Sequence, residues 1–318
     1  PSFFRTARHR ASSSSPGSRT ALAGMIRARL NQGVLAVAAA IVLVIGSAHG
    51  QDRAASIGPG EGEQSAPLPG ATLQVFTYRP AMCSHGLLLM VFHGTERDAD
   101  SYRDRARPLA DKLCAIVVAP KFDRGRFPCD SYQYGGVAEH GRVLPAGARP
   151  VDLVAPLVAW AQSAAGRPGM PHVLIGHSAG SQFLSRVAAF TATTAVRIVI
   201  ANPSTWVMPS TSTAVPFGFG GLKPAQDAEL ALRAYLAQRI IVELGGIDTG
   251  SAELDVSADG MAQGPYRLAR GRNAFNSAKA AAESHGWPFN WTLIEMPGVG
   301  HNSTKMFNAP QTVAALQA

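Results

Sequence analysis

The sequence predicts an α/β protein with a mainly parallel central sheet flanked by helices, and three observations carry that expectation. Short apolar runs of strand length alternate with helical stretches through most of the chain. Apolar residues make up 46% and charged residues only 16% of the 318, as expected where helices cover both faces of a sheet. Polar residues with catalytic potential stand where apolar runs end, and loops at the carboxyl ends of parallel strands are where such folds bind ligands.

In chain order, strands are expected at 72–79, 86–92, 115–119, 172–177, 197–201, 239–244 and 291–296. Helices are expected near 101–113, 151–164, 181–190, 226–237 and 266–284. The second strand, Leu87-Leu88-Leu89-Met90-Val91-Phe92, runs into His93-Gly94-Thr95, and the third, Ile116-Val117-Val118-Ala119, into Pro120. His172-Val173-Leu174-Ile175 leads to Gly176-His177-Ser178-Ala179-Gly180, and a helix is expected to follow. The strand Arg239–Leu244 ends near Asp248, and Trp291–Met296 ends before Gly298-Val299-Gly300-His301. Such alternation implies parallel strands joined by covering helices in one domain, residues 71–318. The sequence contains no internal repeat.

The N-terminal part has a different character. Met25 opens a stretch with Arg27 and Arg29, an apolar run from Gly33 to Gly46, and small residues ending at Ala48-His49-Gly50. Residues 25–50 therefore read as a signal peptide, because the run is shorter than the ~20 residues that span a bilayer. A secreted protein, extracellular or periplasmic, is expected, with no stable membrane insertion after cleavage. Residues 1–24 read as a disordered upstream or expression-derived segment, and 51–70, rich in Gly, Pro and small polar residues, as a flexible linker.

The formal charge of +8 is concentrated in that leader. Residues 1–50 hold six arginines and no acid, so of 29 basic and 21 acidic residues the remainder keeps 23 (29 − 6) against 21, a net charge near +2. No Lys/Arg run follows residue 50, which argues against a nucleic-acid partner. Cys83, Cys114 and Cys129 allow one bridge in three pairings. Cys114 opens an apolar strand and reads as a buried small hydrophobe, which favours Cys83 with Cys129. No Cys-x-x-Cys or spaced His pair points to a metal site, and no cofactor is expected.

Gly176-His177-Ser178-Ala179-Gly180 between strand and helix has the form of a nucleophile on a sharp turn. With His93-Gly94 upstream and Gly300-His301 downstream, the chain resembles the α/β-hydrolases. Tyr102, Leu109-Ala110-Asp111 and the stretch from Gln263-Gly264 to Arg270-Gly271 resemble secreted poly(3-hydroxybutyrate) depolymerases and feruloyl esterases. The resemblance covers about residues 70–310 and implies an α/β-hydrolase fold. The sequence lacks a long insertion that would make a large helical lid, so no large lid domain is expected and the cleft is expected to be fairly open.

Serine is a weak nucleophile that needs a neighbouring base, and an imidazole needs a carboxylate to fix its tautomer. Ser178, His301 and Asp248 are the expected catalytic residues, in the chain order Ser, acid, His; Asp255 and Asp259 compete for the acid role, while Glu243 reads as a strand residue. The amides of Thr95 and Ala179 are expected to meet the developing oxyanion, with Glu96 as the alternative donor to Thr95. His93 and His177 read as supports, Tyr102 as packing, and Trp206 as either a substrate wall or an anchor for its loop. The expected reaction is hydrolysis of a carboxylic ester through an acyl-enzyme, on a small or polymeric substrate such as a polyhydroxyalkanoate-like polyester or a feruloyl-type ester. The same residues could serve a serine peptidase or amidase, and a non-catalytic binding protein retaining the fold is a third reading.

Overall fold

The alternation of strand and helix is realised as an eight-stranded sheet. The computed structural model describes residues 56–84 and 86–318, so the expected signal peptide, the segment before it and residues 51–55 of the expected linker lie outside the described residues. β1 (Gly60–Leu68) and β2 (Ala71–Arg79) pair antiparallel. β3 (Leu87–Phe92), α1 (Ala99–Leu113) and β4 (Ala115–Lys121) follow, β3 and β4 parallel and β2 antiparallel to β4.

An excursion then carries α2 (Cys129–Tyr132), the small hairpin β5 (Ala138–Glu139) and β6 (Arg142–Val143), and a 3-10 turn leading into α3 (Val154–Ala164). β7 (His172–His177), α4 (Ala179–Phe190), β8 (Arg197–Ala201), α5 (Ala225–Leu236) and β9 (Ile240–Gly245) continue the parallel sheet. After α6 (Ala258–Ala262) and α7 (Arg267–His285), β10 (Thr292–Met296) closes it, and α8 (Ser303–Phe307) and α9 (Pro310–Gln317) end the chain. The strand order is β1-β2-β4-β3-β7-β8-β9-β10.

Successive residues of β3 show why its run is apolar throughout. Leu88, Met90 and Phe92 belong to the larger core, with residues of α3, α4, α5 and α7; Leu89 and Val91 belong to the opposite core, with Tyr102, Ala106 and Leu109 of α1. A strand buried on both faces has no solvent side to alternate with.

Two expectations are corrected. Residues 60–68 are a strand, not linker: Ala66 and the preceding Ile57 are buried in the larger core, and only the other face of β1 meets solvent. An antiparallel edge strand with one wet face uses the small polar residues that resemble a linker in composition. The disulfide joins Cys83 to Cys114, and Cys129 is an exposed free thiol. Cys114 precedes β4 as the left-handed cap of α1, φ 49°, and is only half-buried, so the strand's burial does not extend to it. No helix of the described residues is long and apolar enough to cross a membrane.

Candidate active site

The centre of the sheet sets the site. β7 ends at His177, α4 starts at Ala179, and Ser178 between them has φ 57° and ψ −121°. A non-glycine residue so placed is strained and persists only where its surroundings fix it. The Ser178 amide donates to Ala201 O at 3.0 Å, and Ser178 O accepts from the Gln182 amide at 3.0 Å. At Gly180 a Cβ would collide with the Phe92 carbonyl oxygen, so the first turn of α4 packs on β3 only because it lacks a side chain there.

The turns after β9 and β10 are tied together. Gly246 donates to Met296 O at 2.9 Å and Ile247 to Val299 O at 3.0 Å. This brings Asp248, 2% exposed, to His301, and Nδ1 of His301 lies 2.7 Å from Asp248 Oδ2. The donor there is Nδ1–H, which leaves Nε2 as an acceptor. Asp255 instead accepts from the Tyr134 hydroxyl and the Ser257 amide, and Asp259 is exposed.

His301 and Ser178 line one cavity of about 420 Å³ with Gly94, Thr95, Tyr102 and His177. Ser178 Oγ has no hydrogen-bond partner among the described residues. Serine–imidazole bonds are often long before substrate arrives. The His177 and His301 rings stand 4.4 Å apart, and the Tyr102 hydroxyl is 3.4 Å from His177 Nδ1. Burial, with the charges of His301, Arg267 and Arg105 added, pushes His177 well below the usual imidazole range, so it is a neutral support.

The loop after β3 forms the opposite wall. His93 is fully buried; its Nε2 accepts from the Phe122 amide at 3.0 Å, and its Nδ1–H donates to Gly94 O at 3.0 Å. Tyr132 donates to His93 O at 2.9 Å. A Cβ at Gly94 would lie 2.6 Å from the Tyr102 hydroxyl oxygen, which gives that glycine a steric reason. Neither the Thr95 nor the Ala179 amide has a hydrogen-bond partner among the described residues.

Trp206 is placed elsewhere. It is 0% exposed, sits in the larger core, and its backbone is clamped by Gln263, which accepts from Trp206 N at 2.8 Å and donates to Trp206 O at 3.0 Å. The ring packs inward and offers no surface to a substrate, which corrects the expectation of a binding wall.

Sequence reasoning gave no role to several residues that surround the pair. Arg105 donates to Asp98 at 2.9 Å and Ser303 at 3.2 Å, and all three line the cavity. Arg267, 1% exposed, places Nη1 3.9 Å from Asp248 Oδ1. It lies within a stretch noted only for its resemblance, and no spacing rule links an arginine 19 positions on to an aspartate (267 − 248). Among the described residues no cluster of His, Cys, Asp and Glu could hold a metal ion.

No family model matches the chain, and no curated protein sequence matches it. Solved structures do. Poly(aspartic acid) hydrolase-1 from Sphingomonas sp. KT-1 is 28% identical, covering 82% of this chain and 98% of its own, with a TM-score of 0.74. LpqC, a poly(3-hydroxybutyrate) depolymerase from Bordetella parapertussis, is also 28% identical, covering 82% and 90%, with a TM-score of 0.74. An esterase from Rhizomucor miehei, 14% identical with a TM-score of 0.50 and covering 81% and 82%, shares the fold. An eight-stranded sheet of this order, similar along most of its length to these enzymes, makes the chain a hydrolase of the α/β-hydrolase fold.

Proposed function

We propose that the protein is an exported serine hydrolase that cleaves carboxylic ester bonds through an acyl-enzyme. The observation that carries this reading is the 2.7 Å bond between His301 Nδ1 and Asp248 Oδ2, made beside a strained Ser178 in one cavity. Ser178 Oγ attacks the ester carbonyl carbon while His301 Nε2 takes its proton. The C–O bond to the alcohol then breaks, and the alcohol leaves with that proton. Water, deprotonated by the same nitrogen, attacks the acyl carbon; Ser178 Oγ departs with the proton and the acid is released. Asp248 fixes the tautomer and stabilises the imidazolium. The Thr95 and Ala179 amides receive the oxyanion, each donor of that kind contributing ~3 kcal/mol to the transition state.

Two features support a polymer of short repeating units as substrate. Two similar enzymes are named for polymers, and the order of elements among the described residues contains no inserted helical domain. A second reading, hydrolysis of an amide bond, has a specific observation in its favour: poly(aspartic acid) hydrolase-1 is as similar to this chain as the depolymerase.

Turnover of short p-nitrophenyl esters, a feruloyl ester, poly(3-hydroxybutyrate) and poly(aspartic acid) by purified protein separates the two. The first reading expects the acid product from one or more of the esters. Release from the amide polymer with every ester inert would replace it by the second.

A further inference from the structure

We propose that Arg267 is a positioning residue for the Asp248–His301 pair: its buried guanidinium balances the Asp248 carboxylate and pins the loop that carries it. The proposal rests on reading Ser178, His301 and Asp248 as the reacting relay.

Arg267 opens α7, and both it and Asp248 are almost wholly buried. Its Nη1 stands 3.9 Å from Asp248 Oδ1, the carboxylate oxygen not occupied by His301. The same guanidinium donates to Ala252 O at 2.6 Å and reaches Gly250 O at 3.5 Å, while the Leu268 amide donates to Asp248 O at 3.3 Å. The whole 248–252 turn therefore hangs from the first residues of α7. Burial pulls the guanidinium below its usual range, and Asp248 and Glu253 hold it up, so the cation is retained by acidic neighbours.

The consequence concerns the resting enzyme. A carboxylate out of water demands a cation or a proton. If the imidazole were its one cationic partner, the pair would be driven toward an imidazolium, which cannot accept the serine proton. With Arg267 3.9 Å from the other oxygen, the carboxylate has a second cationic partner and does not depend on the ring alone to offset its charge. Other charged or titratable groups face the pair: His177 beneath the ring, Arg105 with Asp98 from α1 and the turn before it, Glu96 from the wall after β3, and Glu253 on the loop itself. Arg105 is already paired with Asp98, and His177 is neutral, which leaves Arg267 as the counter-charge in contact with Asp248.

The test is the pH dependence of kcat/KM on a p-nitrophenyl ester and of the labelling rate by a fluorophosphonate, in the full protein. In Arg267→Met the acidic limb of both profiles should move to higher pH by on the order of half to one unit, because the imidazolium gains stability when the cation is removed. Arg267→Lys should keep the limb near its parent position with a lower rate, since the charge remains but the loop carbonyls lose the fork. A folded Arg267→Met with an unmoved limb overturns the proposal. So does a shift of the same size in an Asp248→Asn background, where an effect transmitted through the carboxylate should vanish. If Arg267→Met does not fold, Arg267→Gln, which retains a donor for the carbonyls and drops the charge, is read the same way. Ser178→Ala separates the two levels: an active Ser178→Ala fails the relay itself, whereas an inactive one beside an unmoved limb fails only the role of Arg267.

Discussion

At the scale of single residues, the site depends on strain and on neutral buried polar groups. Ser178 occupies a backbone conformation that costs of order 1–3 kcal/mol, held by its bonds to Ala201 and Gln182. Ser178→Ala keeps those backbone bonds, so the fold should persist while turnover falls by about four to six orders of magnitude. Circular dichroism together with steady-state kinetics checks both halves. His93 acts through hydrogen bonds. Burial pushes it down to about 3, so it is neutral while it staples Gly94 to Phe122. His93→Ala would strand the buried Phe122 amide and leave Gly94 O with only the Arg97 amide as donor, at about 2–4 kcal/mol in denaturant unfolding, and would loosen the wall holding the Thr95 amide. Because the unfolded histidine binds a proton that the folded one refuses, its stabilisation is complete above the ordinary imidazole range. It is lost as pH falls from there toward about 3.

At the scale of elements, β9 carries a buried liability that the hydrolytic reading does not use. Glu243 is fully buried, and neither carboxyl oxygen has a hydrogen-bond partner; the nearby Thr312 hydroxyl donates to Met306 O at 2.8 Å instead. Burial raises its carboxyl to about 8, from an ordinary value of 4.5. The folded state then holds a proton that the unfolded state has released. The stability this group permits is whole below about 4.5 and is lost as pH climbs toward about 8. Glu243→Gln, which cannot ionise, should raise stability by a few kcal/mol at pH 8 and by little at pH 4. Urea titrations at the two pH values measure the difference, and equal effects would show that the carboxyl ionises freely. Element legibility follows burial in the same way. β3, β7 and β9, covered on both faces, were readable as apolar runs to within a residue or two. β1 was not, because an edge strand written Gly-Glu-Gly-Glu-Gln-Ser-Ala-Pro-Leu shows its pairing with β2 only once β2 is in place. The serine elbow and the pairing of Asp248 with His301 were legible because each stands at the end of a readable strand. Arg267 and Trp206 were not, since their roles depend on which way a side chain turns after distant loops meet.

At the scale of the whole molecule, one covalent link ties the periphery to the fold. Cys83 precedes β3 and Cys114 caps α1, so the bridge closes a loop across 31 residues that contains β3, the wall with Thr95, and α1. That segment supplies one side of the cavity, and the bridge limits its freedom in the unfolded chain. The loop-closure relation gives about 3–4 kcal/mol for a loop of this size. Replacing both cysteines by alanine should therefore lower the unfolding free energy by about 3 kcal/mol without abolishing ester turnover, because neither sulfur lines the cavity. Thiol titration supplies an independent check of the pairing. The native oxidised protein should expose one reactive thiol, Cys129, and Cys129→Ser should expose none. A bridge from Cys83 to Cys129 would instead leave Cys114 as the thiol that persists in Cys129→Ala, accompanied by a newly freed Cys83. Counting thiols in that variant, none or two, decides between the arrangements.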